Sequence, residues 1–203
     1  MLRSEILDSS LEGIAGEPLA TIGVGQTSAP LDLAALQDRI IYAVVDLDYP
    51  PGTWVSAVQF HRDSEPAYTL SLRVSNATGY HFGARADTTE GTNMTLTLGP
   101  APTDRFYALW LMLSEDGNRL TMGTSRGDLI TRTIFPGAGM PGGVLRAPSA
   151  HAVTAIGYGA AHDASTRARI IAYLGQRFGI PQISGGGLNT APHARQRDWA
   201  LAC

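Results

Sequence analysis

The chain has 203 residues, 44% of them hydrophobic and 16% charged, with a formal net charge of −3 at pH 7. That length suits one β-domain with a substantial core, and the slightly acidic balance excludes a surface built to neutralise nucleic-acid phosphates. All 15 basic residues are arginine, a usage that fits bidentate anion recognition but follows more simply from GC-rich coding bias, and the single cysteine is the final residue, Cys203, which excludes an intramolecular disulfide framework.

The opening stretch, MLRSEILDSSLEGIAG, lacks the continuous apolar region of a secretory signal, and no window approaches the ~18 apolar residues of a membrane span. The expectation is a chain made in the cytoplasm, with no membrane insertion. Within residues 1–17, Leu7, Leu11 and Ile14 fall at i, i+4 and i+7, one apolar face of a short helix. So short a helix is marginal alone. It is expected to pack either on the body or on a partner, and these three residues are its candidate anchors.

The body begins near Pro18. Strand-like segments follow at 40–47, 54–61, 68–75, 80–86, 94–98, 105–113, 119–123, 129–134 and 152–158. In YTLSLRVS, Leu70, Leu72 and Val74 face one way while Thr69, Ser71 and Arg73 face the other; in MTLTL, Met94, Leu96 and Leu98 alternate with threonines. Turn chemistry marks 48–52, 76–79, 115–118 and the Arg126-Gly127-Asp128 triplet, which reads as a tight turn and not as an adhesion tripeptide. Residues 136–149, rich in Gly and Pro, read as one long loop. A single amphipathic helix is expected over 164–181: Asp163 or Ser165 caps it, Ile170, Ile171, Leu174 and Phe178 form its apolar stripe, and Gly179 with Pro181 stops it. From Gly185 the chain reads as a flexible tail.

Many short strands without interleaved helices predict an all-β fold, a two-sheet antiparallel β-sandwich or jelly roll with one C-terminal α-helix. The expected division is an N-terminal anchoring segment (1–17), the sandwich with its helix (18–181) and a C-terminal tail (182–203).

Few residues carry obvious chemistry. There is no nucleophile elbow, P-loop, Cys-x-x-Cys pair or His-Glu-x-x-His. The five histidines are dispersed, though His61 and His81 could converge from neighbouring strands. The best candidate calcium loop contains Asp87, Glu90 and Asn93, since calcium takes several oxygen ligands. Aromatic side chains that stack on sugar rings, with polar groups to hold hydroxyls, make Tyr49, Trp54, Tyr80 and His81 the candidate ligand-binding residues, joined by Asp87, Glu90 and Asn93.

Three segments carry a family resemblance. IIYAVVDLD followed by WVSAVQF resembles the early strands of concanavalin A-like, laminin-G-type sandwich domains. DRFYALWLMLSEDGNRLTMGTSRGD resembles their paired central strands, and AVTAIGYGAAHDASTRARIIAYLGQRFGIP their closing strand and terminal helix in bacterial and phage members. The resemblance implies a jelly roll whose concave face or rim loops bind glycans or proteins, often with calcium. Enzymes of that fold carry a Glu-x-Asp-x-x-Glu pattern, whose acid and nucleophile cleave glycosidic bonds. Here only Asp46 and Asp48 approach it, so a non-enzymatic role is expected.

The favoured expectation is a recognition or structural module of a phage-like particle, a decoration, spike or fibre component. It would bind the particle's structural proteins, contact host surface polysaccharide, and form a homo-oligomer through its edge strands. The alternatives are a free carbohydrate-binding lectin, with or without calcium, and a glycoside hydrolase using Asp46 and Asp48.

Overall fold

The computed structural model describes residues 11–16, 18–30, 39–47, 53–61, 69–75, 80–86, 92–99, 105–114, 119–133, 143–148 and 151–180. Eleven strands are present among them: β1 (Ala20–Gly23), β2 (Arg39–Asp46), β3 (Val55–His61), β4 (Thr69–Ser75), β5 (Tyr80–Ala86), β6 (Thr92–Gly99), β7 (Phe106–Leu113), β8 (Arg119–Thr124), β9 (Leu129–Thr133), β10 (Val144–Arg146) and β11 (Ala152–Tyr158). They form a six-stranded sheet, β1-β11-β2-β7-β8-β9, and a five-stranded sheet, β10-β3-β4-β5-β6. Every pairing is antiparallel. The chain is therefore the all-β, two-sheet sandwich with a C-terminal helix that its alternation pattern predicts.

The central strand β2 shows why the layers form. Its sequence RIIYAVVD is apolar on both faces, which is the signature of a strand covered on both sides. Ile41, Ala43 and Val45 enter the core between the sheets, with Leu72, Val74 and Phe82 from the five-stranded sheet and Leu109, Leu111 and Met122 from the six-stranded one. Ile40, Tyr42 and Val44 point the opposite way, into a second core with Ala108, Trp110, Ile156 and Tyr158.

The second core exists because a helix lies over it. Helix α1 (Ala164–Phe178) buries Ile170, Ile171 and Leu174, and Phe178 packs at the edge of the same cluster. At its start the Asp163 side chain accepts a 2.7 Å hydrogen bond from the Thr166 backbone N–H, satisfying one of the free first-turn donors. At its end Gly179 adopts φ 65°, the left-handed stop. No helix among the described residues is long and apolar enough to cross a membrane.

Two sequence expectations are corrected here and a third is decided. The stretch 136–149 is not one uninterrupted loop, because Val144–Arg146 pairs with β3 as β10. Ala20–Gly23, not anticipated as a strand, pairs with β11 as β1. Beyond β1 the chain crosses to the other sheet: Ser28 N–H donates to the Leu145 carbonyl at 2.8 Å, and Ala147 N–H donates to that of Gln26 at 3.0 Å. The third concerns the anchors. Leu11, in a helical segment at 11–15, is fully buried in the second core, and Ile14 packs against it. Leu11 thus packs on the body, one of the two expected alternatives, while Ile14 is half-buried; Leu7 lies outside the described residues.

Candidate functional site

The second core, α1 and the 11–15 segment cover the outer side of the six-stranded sheet. The outer side of the five-stranded sheet is polar. Leu72 and Val74 of β4 are in the inter-sheet core, so the alternation of a strand puts Ser71, Arg73 and Ser75 on the opposite face, where Arg73 is half-buried and the two serines are covered. The ladders extend this face sideways. Arg146 on β10, Gln59 on β3, Ser71 on β4, Arg85 on β5 and Asn93 on β6 are successive register partners in one row. The adjacent row holds Ser56, Arg73, Gly83 and Thr95.

At one end of this face an aromatic group is assembled from distant parts of the sequence. Trp54, immediately before β3, has its ring 6.1 Å from that of His81 on β5, tilted by 38°. The Arg73 guanidinium lies over the same indole, with Cζ 5.5 Å from the ring centroid. All three side chains are half-buried, presenting one side to solvent. Their chemistry is specific: a flat apolar surface, a cation beside it and the half-buried Ser56 hydroxyl opposite Arg73. Such a set can stack on the C–H face of a sugar, pair with a carboxylate and hold ring hydroxyls.

Of the candidate residues read from the sequence, the structure brings Trp54 and His81 together. Tyr80 opens β5, and Asn93 stands on β6 opposite Arg85. Tyr49, Asp87 and Glu90 lie outside the described residues. Among the described residues no three His, Cys, Asp or Glu side chains gather to hold a metal ion. His61 and His81 do not converge: their register partners Thr69 and Ser75 stand at opposite ends of β4, about 20 Å apart along the strand. The sequence reading missed Arg73, which lies over the Trp54 indole, as a site residue. The signal for Arg73 was already visible, as the polar half of the YTLSLRVS alternation.

Asp46 is occupied elsewhere. It sits on β2, in the other sheet, and Arg105 grips its carboxylate through Nε at 3.1 and 3.2 Å and through Nη2 at 2.8 Å. The Arg126-Gly127-Asp128 turn is likewise internally engaged. Gly127 has φ 86°, the Thr124 hydroxyl donates to the Asp128 carboxylate at 2.8 Å, and Arg126 lies over the Tyr107 ring, 5.3 Å from its centroid.

A second polar cluster sits under the start of α1. Tyr42 Oη and His162 Nδ1 share a 2.8 Å hydrogen bond, the Tyr158 ring packs edge-on against His162 at 4.5 Å, and Arg167 donates to the His162 carbonyl. Burial pushes the Tyr42 phenol well above its ordinary value. Burial first, and the Arg167 charge second, hold the His162 imidazole below its ordinary 6.5. Both groups thus stay neutral near pH 7, and the cluster acts as a polar pin between helix and sheet.

No protein-family model and no curated protein matches the chain. Solved structures do share its fold. The CBM40 module of the Ruminococcus gnavus IT-sialidase bound to α2,6-sialyllactose superposes with a TM-score of 0.54 at 11% identity, covering 76% of this chain and 98% of that one. The NanB sialidase of Streptococcus pneumoniae gives a TM-score of 0.51 at 11% identity, over 75% of this chain and 28% of that one. Trypanosoma rangeli sialidase gives 0.52 at 14% identity, over 76% and 27%. The chain is thus similar in fold to a whole CBM40 module and to one part of two much longer sialidases. At such identities the likeness concerns the fold alone.

Proposed function

We propose that this chain is a non-catalytic carbohydrate-recognition module that holds acidic glycans, sialylated ones first among them, against the outer face of its five-stranded sheet. The observation that carries the reading is the group formed by Trp54, Arg73 and His81. An indole that stacks on a sugar and a guanidinium that pairs with its carboxylate together recognise an acidic sugar, which neither would select alone. The R. gnavus module of the same fold, bound to sialyllactose, supports the choice of ligand class. A non-catalytic role is supported by Asp46, whose carboxylate is held by Arg105 in the other sheet. A decoration or spike protein of a phage-like particle that touches host polysaccharide would use this same face, and such a setting is compatible with the proposal.

The test is calorimetric titration of the intact chain with 3′-sialyllactose, 6′-sialyllactose and lactose. Binding of the sialylated sugars but not of lactose, weakened about tenfold or more by Trp54→Ala and by Arg73→Gln, is the expected result. Equal affinity for lactose removes the acidic-glycan reading, and no binding of any of the three overturns the proposal.

A further inference from the structure

Resting on that reading, we infer that the natural ligand is an extended acidic glycan, with carboxylates on more than one of its sugars, which spans the sheet from the Trp54–Arg73 group to a second contact at Arg146. Arg146 is on β10, two strands away from Arg73 on β4 and offset by two residues along the strand direction, since it shares its row with Gln59 and Ser71. With strands about 4.8 Å apart and a rise near 3.4 Å per residue, the two Cα positions are separated by about 12 Å. One carboxylate seated at the Trp54–Arg73 end leaves Arg146 for another.

What lies between and around these two positions fits a chain laid across the strands. Half-buried Ser56 and Gln59 occupy the interval, offering a hydroxyl and an amide that bond sugar hydroxyls without adding charge, while Ser71 beside Gln59 is covered. Among the described residues this face carries no acidic side chain. Glu12 is in the N-terminal helical segment, Asp46 in the other sheet, Asp128 in the turn before β9 and Asp163 at the cap of α1. Arg73 and Arg146 also have contacts within the protein. Each guanidinium carries five N–H donors, so one side chain can serve an internal contact and a ligand together. Arg73 and Arg146 thus stand at two separated points with neutral polar positions between them, and Arg85 on β5 continues the Arg146 row beyond Ser71. One acidic sugar uses half of that pattern, and a chain of them uses all of it.

The experiment compares, on the intact chain, 3′-sialyllactose with an α2,8-linked sialic acid tetramer and with a hyaluronan tetrasaccharide, whose carboxylates stand on alternate sugars. Joining two contacts in one ligand raises the affinity without new chemistry. At least one of the two acidic oligomers should bind about tenfold or more tightly than sialyllactose, with a steeper loss of affinity in salt. Which oligomer gains identifies the carboxylate spacing. Arg146→Gln should abolish the gain while sialyllactose affinity stays unchanged, and Arg146→Lys should restore part of it by returning the charge. Oligomers no tighter than sialyllactose would overturn this inference and leave single-sugar recognition standing. Equal weakening of all three ligands by Arg146→Gln would also overturn it. Failure of every ligand, sialyllactose included, sinks the underlying glycan-binding proposal instead.

Discussion

The indole of Trp110 occupies the space into which a side chain at Gly123 would project. The two are register partners on β7 and β8. Arg167 of α1 closes the other side of the ring, with Cζ 4.6 Å from its centroid. One tryptophan is therefore clasped between a bare stretch of backbone and a helix cation, and it ties α1 to the far half of the six-stranded sheet.

Placing a methyl group at Gly123 should force that ring out of position. Gly123→Ala is expected to lower stability by about 1–3 kcal/mol, the usual range for overpacking. Trp110→Phe alone should also destabilise, through the cavity it leaves. The pair combined should cost less than the sum, because the smaller ring makes room for the methyl group. Urea unfolding of the four proteins measures this. Strict additivity would mean that the two positions do not compete for space.

Acid should loosen the helix through His162. Its folded-state pKa lies below the ordinary 6.5, chiefly by burial and then by the Arg167 charge, so below that pH the unfolded chain binds more protons than the folded one. The stability linked to His162 is complete above about pH 6.5 and is lost as the pH falls through the lowered folded value. Asp163 adds a second loss at lower pH. Its carboxylate is held below 3.8 chiefly by the Thr166 hydrogen bond, and protonation weakens that cap. Melting temperatures recorded from pH 7.5 to 5 should fall for the wild type and fall less for His162→Gln. Parallel curves would show that another group governs the acid response.

Removing the Asp46 carboxylate should affect stability only. Arg105 is about half exposed and solvent screens its attraction, so Asp46→Asn is expected to destabilise by about 1 kcal/mol, with sialyllactose binding on the opposite sheet unchanged. Thermal melts and calorimetry on the same sample check both parts. Lost glycan binding in a folded Asp46→Asn protein would move the binding site to the other sheet.

Leu11 tests what the N-terminal segment does. The side chain is fully buried in the second core, so Leu11→Ala should cost about 2–5 kcal/mol, as core truncations do. A segment serving only as a tether would show no change in chemical denaturation.

Much of the fold was legible in the sequence for local reasons. The alternation in YTLSLRVS and YHFGARA marks strands with one apolar and one polar face, and β5 and β11 span the residues expected of them. The cap at Asp163, the stripe from Ile170 to Leu174 and the stop at Gly179 specify α1 from neighbouring residues alone. Strands β1 and β10 escaped because four- and three-residue segments carry too little pattern of their own; they are extended because β11 and β3 pair with them. Trp54 and His81 could be named from residue type, but an arginine on a strand reads as an ordinary solvated position until its neighbours across the sheet are known.

By itself, then, the sequence determined the nine longer strands among the described residues, which of their faces are apolar and where the single long helix starts and ends, because those properties repeat within a few residues along the chain. Only the tertiary structure decided that Leu11 belongs to the protein's own core, that Asp46 is held by Arg105, and that Trp54, Arg73 and His81 share one face with Arg146. Those relations depend on strand order and register, which are set by packing between residues far apart in the chain.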